Sequence, residues 1–298
     1  MSQLGGATRS AADVLGPALR HRVAVFRARE AEVRLDEPDA VHRFRVSARR
    51  LRSLVTAGGT LLDPARCAAL DDELREAARV VGAARDAQVA QRRLESLLRD
   101  EPDSAALAQL EGRLTDLLER SYLSGWRQAI GYFDGSRYDA FTRLLDGFAD
   151  LPPWTTSAQA PAGQVLVPVL RQEWTRLLST GRRVQLLEPG PDRDQQLHAV
   201  RKAAKRVKDL AEVQASLSGR KVKRLRKAAS RLQTVLGEHQ DLVVTGVLLE
   251  RLGRDGTVDH RVLHRIQLRE AAAAGALFDD FVRTFREADR KSLRAWMR

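Results

Sequence analysis

Apolar residues recur every three to four positions along most of the chain, and no stretch alternates apolar and polar residues long enough to argue a strand. The pattern predicts helices over 11–35, 39–58, 64–99 and 104–132 and a shorter piece near 137–149. It then predicts 164–187, 193–217, 219–252 and 257–289, with a short tail helix behind. Breakers separate them: Glu37-Pro38, Gly58-Gly59, Glu101-Pro102, Ser218-Gly219 and Asp255-Gly256. Asp103 or Ser104, and Asp192, stand where N-caps are expected, because their side chains can accept from the free N–H groups of a first turn.

Three elements occur twice, in the same order. Val14-Leu15-Gly16-Pro17-Ala18-Leu19-Arg20 matches Val165-Leu166-Val167-Pro168-Val169-Leu170-Arg171. His42-x2-Arg45-x3-Arg49-Arg50-Leu51-Arg52 matches His198-x2-Arg201-x3-Lys205-Arg206-Val207-Lys208. Val80-Val81-Gly82-x2-Arg85-Asp86 matches Val235-Leu236-Gly237-x2-Gln240-Asp241. The offset lengthens between the first and second elements, in Glu188-Pro189-Gly190-Pro191, where a loop can take an insertion. The expectation is an all-α protein of two antiparallel four-helix bundles, 1–152 and 153–298, related by an internal pseudo-twofold axis. The boundary falls at Leu151-Pro152-Pro153-Trp154.

The polar faces carry the candidate chemistry. At 100° per residue, His42, Arg45, Arg49 and Arg52 fall within about 80° of one another, and Phe44, Ala48, Leu51 and Val55 take an adjoining face. His198, Arg201, Lys205 and Lys208 repeat the stripe, with Lys202 and Arg206 widening it. Arg220, Lys223, Arg224, Lys227 and Arg231 share one arc of the next helix, and Arg50, Arg79 and Arg85 flank the stripes of the first half. Between His198 and Arg231 stand twelve Lys or Arg and two acids, so this segment holds +10 of a net charge of +12. A charged helix face is ordinarily solvated and mixed in sign, because like charges four apart repel by roughly 0.2–0.5 kcal/mol. Same-sign stacking at matched positions is relieved by a bound anion, which points to a polyanion partner.

The His-led pair of basic helices resembles the CHAD family, the conserved histidine α-helical domain, over about residues 11 to 298. Gly82-Ala-Ala-Arg85-Asp86 and Gly237-Glu-His239-Gln240-Asp241 are similar to that family's later motif. The resemblance implies two four-helix bundles, a basic groove or central pore, and binding of inorganic polyphosphate by His42, Arg45, Arg49, Arg52, His198, Arg201, Lys205 and Lys208. One departure is that Asp71, Asp72, Glu73 and Glu76 dilute the first-half counterpart of the 220–231 stripe, so that half is expected to make fewer phosphate contacts. CHAD modules are often joined to a triphosphate-tunnel domain with an E-x-E-x-K strand. Glu30-Ala31-Glu32-Val33-Arg34 lacks the lysine and sits in a helical pattern, so it is rejected.

Polyphosphate has one charge per phosphate and no bases. A line of Arg forks and mobile Lys charges suits it, with affinity from counterion release. His42 and His198 are either adjustable cations beside phosphate or local anchors of a helix start. Non-specific RNA or DNA backbone binding is the alternative partner. Against it, the basic faces carry no aromatic platforms and no Asn or Gln to read bases. No phosphate loop, nucleophile elbow or paired-carboxylate motif suggests an enzyme. His260 and His264 have metal-ligand spacing but no third ligand, so neither a metal nor a cofactor is expected. Aromatics are only 5% of the chain, so the cores should be built mainly from Leu, Val and Ala. A single cysteine, Cys67, fits a reducing compartment, and no apolar run approaches the roughly 20 residues of a span. The expected location is the cytoplasm, in association with polyphosphate granules and without membrane contact.

Charge reversal separates a localised track from bulk charge. Lys205, Lys208, Lys223 and Lys227 changed to Glu should weaken polyphosphate binding far more than Arg9, Arg261, Arg265 and Arg294 changed likewise. Equal losses, measured at several salt concentrations, would mean that net charge alone sets the affinity.

Overall fold

A computed structural model describes residues 9–98, 105–254 and 260–297. Its α-helices are α1 (Ala11–Arg34), α2 (Ala40–Gly58), α3 (Pro64–Val80), α4 (Gly82–Leu98), α5 (Ala105–Phe133) and α6 (Ser136–Asp150). Then follow α7 (Ala162–Val184), α8 (Pro191–Val213), α9 (Ala215–Arg254), α10 (His260–Ala288) and α11 (Lys291–Arg294). The fold is all-α: among the described residues only isolated bridges, Ser10 with Pro161 and Leu62 with Trp154, have strand-type pairing. No described helix is long and apolar enough to cross a membrane.

Local chemistry accounts for the helix starts. Ser10 caps α1 by accepting from the Asp13 N–H at 3.1 Å, and Asp13 accepts from the Ser10 N–H at 3.0 Å. Pro17 and Pro168 lie inside α1 and α7. Pro17 lacks an N–H for the Asp13 carbonyl four residues back, and Arg9 Nη2 donates to that oxygen at 2.9 Å instead. The two starts are also tied to each other: the Ala11 N–H donates to Ala160 O and the Ala162 N–H to Arg9 O, each at 2.9 Å.

Two expectations about elements need correction. The helix expected over 64–99 breaks at Val81 into α3 and α4. A Cβ on Gly82 would lie 2.7 Å from Arg45 Nη1, so the break sets a bare backbone under that guanidinium. The matching stretch stays continuous in α9 from Arg220, after Gly219 turns the chain with φ +50°. Asp192 is not the N-cap of α8; Gly190 takes that position, Pro191 follows in the first turn, and Asp192 lies one residue further in. Asp103, Ser104, Glu101-Pro102 and Asp255-Gly256 lie outside the described residues.

The hydrophobic contacts form three clusters. The first joins α1, α2, α3, α6, the end of α5 and the start of α7. It is built mainly from Leu, Val and Ala, with an aromatic group among them: Phe26 and Phe44 have ring centroids 4.8 Å apart, and Phe44 and Phe133 are at 5.4 Å. Most of the chain's aromatics lie in or against this cluster, and the rest in the second. The second cluster packs α7, α8, α9 and α10 around Trp174, Phe281 and Phe285. The third, with Leu98, Leu114, Leu118, Leu249, Leu263 and Ile266, joins the far ends of α4, α5, α9 and α10. Beside it Arg93 donates to the buried Glu270 at 2.7 Å. Helix α2 also packs on α8, α8 on α9, α9 on α4, and α4 on α2, closing a cycle of four helices.

Glu30 and Glu32, rejected as a catalytic strand motif, lie in α1. Glu30 accepts from Tyr138 and Arg34 at 2.9 Å, and Glu32 from Arg43 Nε at 2.6 Å.

Two glycines in α7 and α10 should respond oppositely to one substitution. A Cβ on Gly181 would collide with the buried Phe285 ring, so Gly181→Ala should cost about 1–3 kcal/mol through overpacking. A Cβ on Gly275 would meet nothing within 4 Å, so Gly275→Ala should stabilise by roughly 0.5–1 kcal/mol through lower backbone entropy. Urea unfolding of the two variants reads both signs.

Candidate polyanion-binding site

The two His-led helices, α2 and α8, pack against each other, and a buried carboxylate joins them. Asp209 on α8 is fully buried. Its Oδ2 accepts from Arg49 Nη1 and, at 3.0 Å, from the Ser53 hydroxyl, both on α2. Its backbone carbonyl accepts from Arg22 Nη2 of α1 at 3.3 Å, and the other Arg22 nitrogen donates to Arg50 O. Its Oδ1 is buried with no partner among the described residues. Ser53 and Asp209 occupy matched positions of the two repeats, so the second copy supplies a charge where the first supplies a hydroxyl.

Around this joint the cations of both halves converge. Lys205 lies within electrostatic reach of Arg201, Arg49 and Arg45, and Arg201 within reach of Arg49 and Arg45. Arg85 of α4 lies within electrostatic reach of Arg45, and His42 within reach of both Arg85 and Lys205. The nearby carboxylates are fewer: Asp209; Asp86, 3.3 Å from Arg45; Asp241, beside Arg201; and Asp39, 3.5 Å from Arg85. Lys205 makes no hydrogen bond or ion pair of its own among the described residues. Burial and these neighbouring guanidinium groups bring its ammonium down to about 7.

The histidines answer to the same field. Burial, with Arg85 adding to it, holds His42 below the ordinary imidazole value. Burial also lowers His198, whose Nδ1 bonds Gln240 Oε1. With Nδ1–H donating to that oxygen, the neutral ring presents Nε2 as an acceptor, and protonation would turn it into a donor.

The structure does not bring every expected site residue here. Arg52 is held in a two-point pair by Asp71 at 2.8 and 3.2 Å, and Lys208 donates to Gln233 at 2.7 Å. Arg206 turns to Glu173 at 2.9 Å, Arg50 lies 3.8 Å from Glu212, and exposed Arg79 pairs with Glu76 at 2.7 Å. Lys202, Arg220 and Lys223 are exposed. Arg224, Lys227 and Arg231 line a separate depression against α10 and α11, where Arg231 pairs with Glu287 at 3.0 Å. The expected site residues of α9 thus lie in a second place, apart from those gathered at the joint of α2 and α8. The basic faces were also read as lacking Gln, yet Gln233 and Gln240 bond two of the stripe residues. The first-half acids are all ion-paired: Asp71 and Asp72 to Arg75, Glu73 to Arg137, and Glu76 to Arg79. His260 and His264 line a shallow depression, and no group of three metal-binding side chains occurs among the described residues.

Sequence reasoning missed Arg22, Asp209 and Asp241 as site-building residues. Asp241 was inside the third repeated element, so its signal was in hand. Asp209 was visible only as the acid facing Ser53 in the repeat, and Arg22 had no signal.

Comparison with known proteins gives a consistent picture. The family model described as the CHAD domain matches residues 17–250. Two uncharacterised Mycobacterium tuberculosis proteins, one from each of two strains, are 32% identical over 238 residues, which is 78% of this chain and 44% of theirs. The chain thus spans less than half the length of these relatives. Among solved structures, PptA from Streptomyces chartreusis aligns with a TM-score of 0.75 at 18% identity, covering 93% of this chain and all of that one. The CHAD domain from the plant Ricinus communis aligns at 0.70 and 21%, covering all of this chain and 94% of that one.

The depressed Lys205 ammonium sets a pH dependence of stability. Below about 7 the folded chain carries the full cost of the buried charge. Between there and the ordinary value of 10.5 the unfolded chain holds a proton that the folded chain does not, so this cost is relieved as pH rises. Lys205→Met should raise the unfolding midpoint at about pH 6 and lose that advantage by about pH 10. Thermal unfolding across that range checks it.

Proposed function

The chain belongs to the CHAD domain family, and from that premise we propose that it binds inorganic polyphosphate without catalysis. The bound chain runs along a basic groove or pore inside the cycle of α2, α4, α9 and α8. The observation that carries this reading is the convergence of His42, Arg45, Arg49, Arg85, Arg201 and Lys205 from both halves. Their repulsion is only partly compensated by Asp39, Asp86, Asp209 and Asp241, and a line of phosphates placed among them would relieve the rest. Its negative charge would also offset the repulsion from neighbouring cations that helps burial to depress Lys205 and the histidines, so binding should draw protons onto them.

The reading includes two bundles, 1–152 and 153–298, related by a pseudo-twofold axis. The reciprocal bonds between the starts of α1 and α7 support it, since residue i meets j while j meets i across such an axis. A place in the cytoplasm, on polyphosphate granules, follows from the ligand. Nucleic acid is the weaker partner: Gln233 and Gln240 are engaged by Lys208 and His198, and among the described residues none of the clustered cations stacks on an aromatic ring.

The test is Arg45→Gln with Arg201→Gln, titrated with long-chain polyphosphate at several salt concentrations. Each lost contact should lower the log–log salt slope by about 0.7–0.9, if nucleic-acid values transfer. The exposed pair Arg120→Gln with Arg127→Gln should leave binding nearly unchanged. Equal losses from the two pairs would overturn the site, phosphate release by the purified protein with Mg2+ would overturn the non-catalytic reading, and stronger binding of RNA at matched salt would overturn the choice of ligand.

A further inference from the structure

The depression between α9, α10 and α11 is built for an anion in its own right. Arg224 and Lys227 enter it from α9 and Arg290 from the turn before α11. All three are exposed, and among the described residues none of their side chains makes a hydrogen bond or ion pair. Thr284 and Ser292 add hydroxyls at the rim, and Ala228 and Leu293 form an apolar floor. The one carboxylate, Glu287, is engaged by Arg231 at 3.0 Å and does not neutralise the other three cations. Three free cations with two hydroxyl donors form a holder for a group with several anionic oxygens.

The depression connects with the inter-half cluster along α9. Lys227, Thr234 and Asp241 follow at seven-residue steps, which drift by only about 20° each, so they share a face of the helix. Asp241 stands beside Arg201 in the cluster. The separation along the helix is about 20 Å. Glu238 is the only acid between Lys227 and Asp241.

We propose that this depression is a second phosphate-holding station for the same polyanion, so that chains long enough to reach from Lys205 to Lys227 bind by two points and short ones by one. The inference rests on the polyphosphate reading above. Two-point engagement raises affinity through effective concentration, without any new kind of contact.

The experiment compares tripolyphosphate with long-chain polyphosphate at equal salt. In the triple variant Arg224→Ala, Lys227→Ala and Arg290→Ala, long-chain affinity should fall roughly tenfold or more while tripolyphosphate affinity holds. The variant Arg120→Ala, Arg127→Ala and Arg143→Ala removes the same charge from exposed positions of the first half and should change neither. An equal fall for both ligands in the two triple variants would overturn the proposal in favour of bulk charge, and no fall for the long chain would overturn it outright. A wild-type protein that bound neither ligand would instead bring down the polyphosphate reading itself.

Discussion

The buried carboxylate of Asp209 is the contact on which the arrangement of the two halves depends. A carboxylate taken fully out of water is costly unless its charge is met, and here Arg49 and Ser53 of the opposite half meet it. Arg22 adds a third strand to the joint by bridging the backbone of α8 to that of α2. This joint sets α2 against α8 at a fixed register. That register brings Arg45, Arg201 and Lys205 close enough to repel one another. Without it, each would be an ordinary snorkelling cation on a separate helix face.

The halves divide the work unequally. In the first, Arg45, Arg49 and Arg52 each have a carboxylate partner. In the second, among the described residues, Lys208 bonds only an amide and Lys205 forms no hydrogen bond or ion pair. The unrelieved charge is therefore concentrated where α8 faces α2, and the apolar contacts elsewhere have to hold the site together against it. The third hydrophobic cluster serves that end, because it clamps the far ends of α4 and α9 and so closes the cycle of helices from the other side. A cluster of like charges held together by distant packing is a local conflict with stability of the kind found at binding sites.

Gly82 illustrates how backbone and charge are fitted together. The α3–α4 break lowers a residue without a side chain beneath the Arg45 guanidinium, which then reaches Asp86 one turn further along α4. The matching Gly237 has open space around it and sits inside the unbroken α9. Repeated sequence thus supports two different local solutions, one that seats an arginine and one that keeps a long helix straight past the cluster.

Sequence alone determined the helical class, most helix positions to within a few residues, the twofold repetition and the two His-led basic helices. These follow from local rules: a 3.6-residue period places apolar and basic side chains on opposite faces whatever the helix later meets. Tertiary structure alone decided which cations share a space. Arg49 and Lys205 occupy matched positions of the repeat, yet one is paired to Asp209 and the other makes no ion pair among the described residues. Arg231 and Lys208 both lie on basic stripes, yet they serve opposite sides of α9. Asp209 read as one acid diluting a basic run, and it became the anchor only because Arg49 and Ser53 approach from about 160 residues away. The physical reason is that helix periodicity is set by near neighbours along the chain, whereas burial and ion pairing of a charge are set by whatever distant segment packs over it.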